Sequence, residues 1–154
     1  MLMTANHYFA RGETRPGGEA HMTALAATIP FDGSKTMGES VPGPAHLLAA
    51  SLGACLLKNV ERFSHMLPFE YSRASVEVAF IRQHSPPRIL RAPYTLDVDT
   101  SEPAHRCSLL HRNIVKFGTI SSTLAQACEL SGSLRAHRPG GDIEAFDLPP
   151  PGGT

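Results

Sequence analysis

Three cysteines, Cys55, Cys107 and Cys128, and eight histidines are the side chains from which nucleophilic, redox or metal chemistry would be built in this sequence. Cys55 stands apart from the others. It lies in Gly43-Pro-Ala-His-Leu-Leu-Ala-Ala-Ser-Leu-Gly-Ala-Cys-Leu-Leu-Lys-Asn-Val-Glu61, a stretch of mostly small and apolar residues. A cysteine thiol ordinarily titrates near pH ~8.5 and reacts as its thiolate, which apolar surroundings disfavour. Nucleophilic chemistry at such a position therefore requires a group that favours the anion. Without one, the residue is an inert core cysteine. Lys58, three residues on, points toward solvent at helical spacing. The dipole of the helix itself fades within its first turn, and Cys55 lies well inside.

The remaining candidates have simpler readings. The odd number and wide spacing of the cysteines argue against a disulfide framework, and no CxxC pair is present. The histidines form no HxxxH or HxH pair, so no metal site is expected. His105 and His111, six residues apart, fall on opposite sides of a helix, and with Arg112 and Lys116 they read as a solvated helix surface. Cys107 and Cys128 read as small core hydrophobes. Glu39 and Glu129 read as surface charges.

The elements that position Cys55 follow from the pattern around it. Pro44 suits the first turn of a helix, where its missing N–H is no loss. Leu48, Leu52, Cys55, Asn59 and Phe63 then recur at steps of three or four, placing Cys55 on the stripe that faces a core or a partner. Ala49, Ala50, Ser51, Gly53 and Ala54 allow close approach beside it. The helix is predicted to run to about Met66 and to stop before Pro68. Upstream, His7–Arg11 and His21–Thr28 read as two short strands around the turn Gly12–Gly18. The segment Pro30–Gly43 reads as a polar connection. Downstream, Arg73–Arg82 and Leu90–Thr100 alternate apolar and polar residues and form an antiparallel pair. Ser101 reads as the N-cap of a second helix, with Pro103 in its first turn, the stripe Cys107, Leu110, Ile114 and Phe117, and Gly118 at its end. Thr119–Cys128 reads as a third helix. Ser131–His137 reads as a last strand, with Leu134 its only strong apolar contact.

This order is α+β, since it lacks a regular βαβ alternation. At 154 residues, one domain over residues 1–137 is expected, followed by a Pro/Gly-rich tail over 138–154 with Ile143, Phe146 and Leu148 as its points of attachment. Fourteen basic side chains balance fourteen acidic ones, which leaves no general attraction to nucleic acid or to anionic lipid. No apolar run reaches the ~20 residues of a membrane span, and the N-terminus lacks the order of a signal peptide. A cytoplasmic protein is expected.

The segment Pro44-Ala-His-Leu-Leu-Ala-Ala-Ser-Leu-Gly-Ala-Cys55 resembles the proline–acidic–x–leucine…alanine–cysteine signature of the OsmC/Ohr family, named for osmotically inducible protein C and organic hydroperoxide resistance protein. The element order and the stretch Asn113–Leu124 extend the resemblance over about Asn6 to His137. It implies an α+β fold with antiparallel strands around a long central cysteine-bearing helix, in an intertwined homodimer. It also implies reduction of hydroperoxides through a pair of cysteines. Cys55 would be the nucleophile, and an arginine from the N-terminal hairpin, Arg11 or Arg15, its cationic partner. No cofactor is implied. Two departures qualify this. The glutamate that catalytic members carry ten residues before the cysteine is Ala45 here; its neighbour His46 is polar but no carboxylate, and is otherwise a helix-start residue. The second cysteine, which falls just before a proline at the start of a later helix, is missing from the matching stretch Phe117–Ser121. The resemblance thus implies a single-cysteine branch that meets a small hydroperoxide or apolar ligand and an external thiol reductant. The alternative is a catalytically inactive dimer that binds a small apolar ligand or is structural.

Overall fold

The computed structural model describes residues 5–149, in two compact units divided at Leu48. The N-terminal unit holds a three-stranded antiparallel meander, β1 (Arg11–Thr14), β2 (Glu19–Ala24) and β3 (Ala27–Asp32). Three strands replace the two expected, because two turns fall where the sequence was read as strand or as longer loop. Arg15-Pro-Gly-Gly18 closes the first, with Gly17 and Gly18 at φ of 102° and 96°, a region that favours glycine. Leu25-Ala26 closes the second, so the strand expected to continue to Thr28 reverses and Pro30 and Phe31 lie within β3. His7–Ala10 is irregular. Beyond β3, the Asp32 carboxylate accepts bonds from Ser34 N–H (3.0 Å), Ser34 Oγ (2.6 Å) and Gly38 N–H (2.6 Å), which hold its pKa below the usual carboxylate range. Helix α1 (Pro44–Met66) begins at the proline and ends before Pro68, as expected.

The C-terminal unit carries a five-stranded sheet in the order β4 (Arg73–Val78), β6 (Arg88–Asp99), β7 (Glu129–His137), β8 (Ile143–Asp147), with β5 (Ile81–Gln83) also paired to β6. The alternation in β6 is realised in full: Ala92, Tyr94, Leu96 and Val98 are buried, and the residues between them are not. The strand expected over Arg73–Arg82 splits at Ala79 and Phe80. The residue opposite is Pro93, which has no N–H to continue the ladder.

Helices α2 (Ala104–Lys116) and α3 (Thr119–Ala127) then carry the chain over to β7, which runs parallel to β6. The sheet is therefore mixed rather than antiparallel throughout. The N-cap of α2 is Pro103 and not Ser101, and no side chain caps it. Cys107, Leu110 and Ile114 are buried on its stripe. Phe117 is 51% exposed and leans against Phe63, their ring centroids 5.8 Å apart. Residues 143–147, within the segment read as a tail, form β8 antiparallel to β7. Phe146 and Leu148 pack against the core, whereas Ile143 is exposed.

The core joins α1 (Leu52, Leu56, Val60, Phe63), α2, and the inner face of β6 and β7, where Ala136 is buried beside Leu134. One buried polar residue departs from expectation. His111, read as part of a solvated surface, is 1% exposed, and its Nε2 lies 2.6 Å from the Tyr94 hydroxyl. Gly132, opposite Tyr94 on β7, makes room for that ring: a Cβ there would meet the ring carbons at 2.6 Å. On the outer face, Arg135 grips Asp97 with two bonds of 2.8 Å, and His137 adds one of 2.5 Å.

Candidate functional site

Helical spacing brings Asn59 one turn beyond Cys55 on the same stripe of α1. Asn59 is 7% exposed, and Cys55 is half-buried. The Asn59 amide donates to the Cys55 backbone oxygen at 2.8 Å, and the same Nδ2 lies 3.6 Å from Cys55 Sγ. The first bond fixes the amide's orientation, because only the nitrogen can donate to a carbonyl. The second places a donor nitrogen beside the sulfur. Lys58 is exposed, as its spacing predicts.

The corner between α2 and α3 closes on the same sulfur. Gly118 is the N-cap residue of α3, and a Cβ at Gly118 would stand 2.9 Å from Cys55 Sγ. Ser121 holds the corner, its Oγ 2.7 Å from Val115 O and 3.1 Å from Gly118 O. No side chain caps α3, so its first-turn N–H groups carry the positive end of the helix dipole without a side-chain acceptor. An anion beside a helix N-terminus is favoured. The contact with α3 is not legible in the sequence, because nothing in the spacing of residues 55 and 118 announces that they meet. The only hint was that the matching stretch begins at Phe117.

This contact carries a prediction. In a disulfide, the Cβ of one cysteine lies about 3 Å from the other sulfur. Gly118→Cys is therefore expected to form a disulfide with Cys55 on mild oxidation, with a shift of the Ile114 backbone carbonyl (2.9 Å) and of Ser121 Oγ (2.5 Å) away from the new Cβ. Peptide mapping of the oxidised variant should join the peptides that contain residues 55 and 118. Two free thiols at those positions would contradict the placement.

The other candidates are placed as follows. Cys107 is fully buried, and Cys128 ends α3 with its sulfur 3.3 Å from Leu124 O. Burial pushes both thiols above their ordinary range, and partial compensation from Arg138 and Arg88 respectively does not undo it. Arg11 and Arg15 lie on and just after β1 in the N-terminal unit, both exposed, and Arg15 pairs with Glu13 at 3.2 Å. His46 sits in the first turn of α1, where Nδ1 accepts the Gly43 N–H at 3.1 Å. Gly53, expected to invite a partner, is buried under Val76 and Val78 of β4, while Ala50 and Ala54 stay exposed. Among the described residues, no group of three or more His, Cys, Asp or Glu side chains is placed to hold a metal. No described helix is long and apolar enough to cross a membrane.

No protein-family model matches the chain, and no curated protein matches its sequence. Solved structures do match. An OsmC-like protein from Mycoplasma pneumoniae superposes with a TM-score of 0.79 at 12% identity, covering 86% of this chain and 99% of that one. The chain has the OsmC-like fold. A second neighbour, a putative osmotic stress induced and detoxification response protein from Psychrobacter arcticus, gives 0.72 at 12% identity over 86% of this chain and 99% of that one. The organic hydroperoxide resistance protein OhrB of Bacillus subtilis gives 0.63 at 18% identity over 82% of this chain and 98% of that one. Identities this low carry the OsmC-like fold alone.

Proposed function

We infer that this chain is a single-cysteine redox protein of the OsmC/Ohr family, a thiol-dependent hydroperoxide reductase with Cys55 as its nucleophile. The observation that carries the reading is the setting of Cys55 Sγ. Cys55 is half-buried, unlike the fully buried Cys107; a side-chain amide lies 3.6 Å from its sulfur, and the uncapped N-terminus of α3 lies beside it. The fold shared with a named hydroperoxide resistance protein supports it.

The chemistry is a displacement at oxygen. The Cys55 thiolate attacks the distal oxygen of ROOH, the O–O bond breaks, and the alkoxide leaves and takes a proton to give ROH. Cys55 becomes a sulfenic acid. An external thiol then attacks the sulfenic sulfur and releases water, and a second thiol resolves the mixed disulfide to return Cys55 as a thiol. Exposed Phe117, next to the Gly118 that abuts Cys55 Sγ, offers an apolar neighbour that favours an organic hydroperoxide over hydrogen peroxide. Arg11 and Arg15 are the residues to substitute in looking for a cation on which the thiolate draws. A homodimer belongs to this reading, supported by exposed Ala50 and Ala54 and by exposed Tyr8, Phe9 and Leu25 of the N-terminal unit. A stable monomer in sedimentation at micromolar concentration would end that part of it.

Mass spectrometry after one equivalent of cumene hydroperoxide tests the reading. The expected product is sulfenic acid at Cys55, trapped by dimedone, with no disulfide to Cys107 or Cys128. Such a disulfide would overturn the single-cysteine cycle. Unmodified Cys55 under conditions that oxidise free thiols would favour the alternative, an OsmC-like protein that binds a small apolar ligand or is structural. That alternative draws on Ala45 and on the absent second cysteine.

A further inference from the structure

Asn59 is an expensive residue for its position. It lies in the interior of a 23-residue helix, on a stripe whose other inward members, Leu52, Leu56, Val60 and Phe63, are apolar. Asparagine is a poor former of helix interiors, and a buried amide costs free energy unless it is bonded. Its bond to the Cys55 carbonyl oxygen only shares an acceptor that the helix already uses. What the amide adds is the 3.6 Å approach of the same Nδ2 to Cys55 Sγ. Leucine would fill the same volume without this contact.

We propose that Asn59 is the positioning residue of the Cys55 thiolate, a fixed amide donor that holds the sulfur against the α3 N-terminus in its anionic form. The proposal rests on the reading of Cys55 as a reactive thiol. A thiolate accepts an N–H far better than a thiol does, so the contact tightens as the anion forms and relaxes when the thiol is restored. A hydrogen bond to a charged group is worth roughly tenfold or more in an equilibrium. Because the donor is neutral and tied to the helix backbone, it favours the anion without competing as an ion pair for the attacking face of the sulfur.

The test is the rate at which iodoacetamide alkylates Cys55, resolved from Cys107 and Cys128 by peptide mass spectrometry. Asn59→Leu is expected to slow alkylation about tenfold at pH 7 and to match wild type within about twofold at pH 10.5, above the ordinary range of a cysteine thiol. A purely structural role would change both rates together or neither, and either result would overturn the proposal. Should Asn59→Leu fail to fold, Asn59→Ser serves instead: its hydroxyl reaches the carbonyl one turn back but not Sγ, and the same pH contrast is expected. The alkylation assay contains no peroxide. A wild-type thiol that alkylates rapidly with the predicted Asn59 dependence, yet is not oxidised by hydroperoxide, would refute the proposed function and leave the role of Asn59 standing.

Discussion

Replacing Cys55 by serine is expected to reduce thiol-dependent consumption of cumene hydroperoxide to the uncatalysed level, while Cys107→Ala and Cys128→Ala keep most of the activity. The displacement requires a polarisable anion at sulfur. A serine hydroxyl at the same place stays protonated and attacks oxygen poorly, so nothing substitutes for the lost step. Cys107 cannot take over: it is fully buried in the core, its sulfur 3.5 Å from Glu102 O, and burial pushes its thiol up. Cys128 is held against the last turn of α3 and shifted in the same direction for the same reason. The measurement is peroxide loss with dithiothreitol or dihydrolipoamide as reductant, for wild type and the three variants. Full activity in Cys55→Ser would remove Cys55 from the mechanism, and loss in Cys128→Ala alone would move the chemistry to the other end of α3.

The second large effect concerns stability. His111 is enclosed by Tyr94 of β6 and by β8, which supplies the Phe146 backbone carbonyl and the nearby Asp147 carboxylate. The neutral ring suits this setting, with Nε2 placed to accept the Tyr94 hydroxyl. Burial lowers its pKa from 6.5 to about 4, against smaller opposing contributions from Phe146 and Asp147. Between those values the unfolded chain binds a proton that the folded chain refuses, so stability rises with pH across that window. The contribution is complete above the unfolded value, declines as pH falls below it, and is lost by about pH 4. The shift corresponds to about 3 kcal/mol. The Asp97 carboxylate, lowered by its bonds to Arg135, and by His137, against its own burial, adds its own loss only at lower pH still. Urea unfolding at pH 7 and at pH 4 should therefore show this loss in wild type and a much flatter response in His111→Gln, whose amide oxygen can still take the Tyr94 hydroxyl. Equal pH dependence in the two proteins would show that His111 is not the titrating group.

The sequence alone determined those features that depend on local pattern. Pro44 and Pro68 bracket α1, because a proline tolerates a helix start and forbids continuation. The alternation of β6 placed Tyr94, Leu96 and Val98 inward, because side chains of a strand alternate between faces. Cys55 was singled out from the run of small and apolar residues around it. What failed locally failed at turns and ends: Leu25-Ala26 carries none of the usual turn residues, so β3 went unseen, and the absent N–H of Pro93 acts on a different strand, so the break after β4 did too.

The tertiary structure decided everything that joins residues distant in the chain. His111 reads as solvated beside polar Arg112 and His105 on its helix, yet β8 covers it, and β8 comes from a segment expected to be a tail attached at Ile143, Phe146 and Leu148 rather than a strand. The parallel pairing of β6 and β7 follows from the crossover through α2 and α3, which no periodicity records. Above all, the setting of Cys55 comes from Gly118, 63 positions away in sequence. Glycine there is legible only as a turn residue until the fold shows that any side chain would strike the sulfur. Local pattern fixes which face of an element is apolar, but a reactive group is made by what another element brings against it, and that is a property of long-range packing.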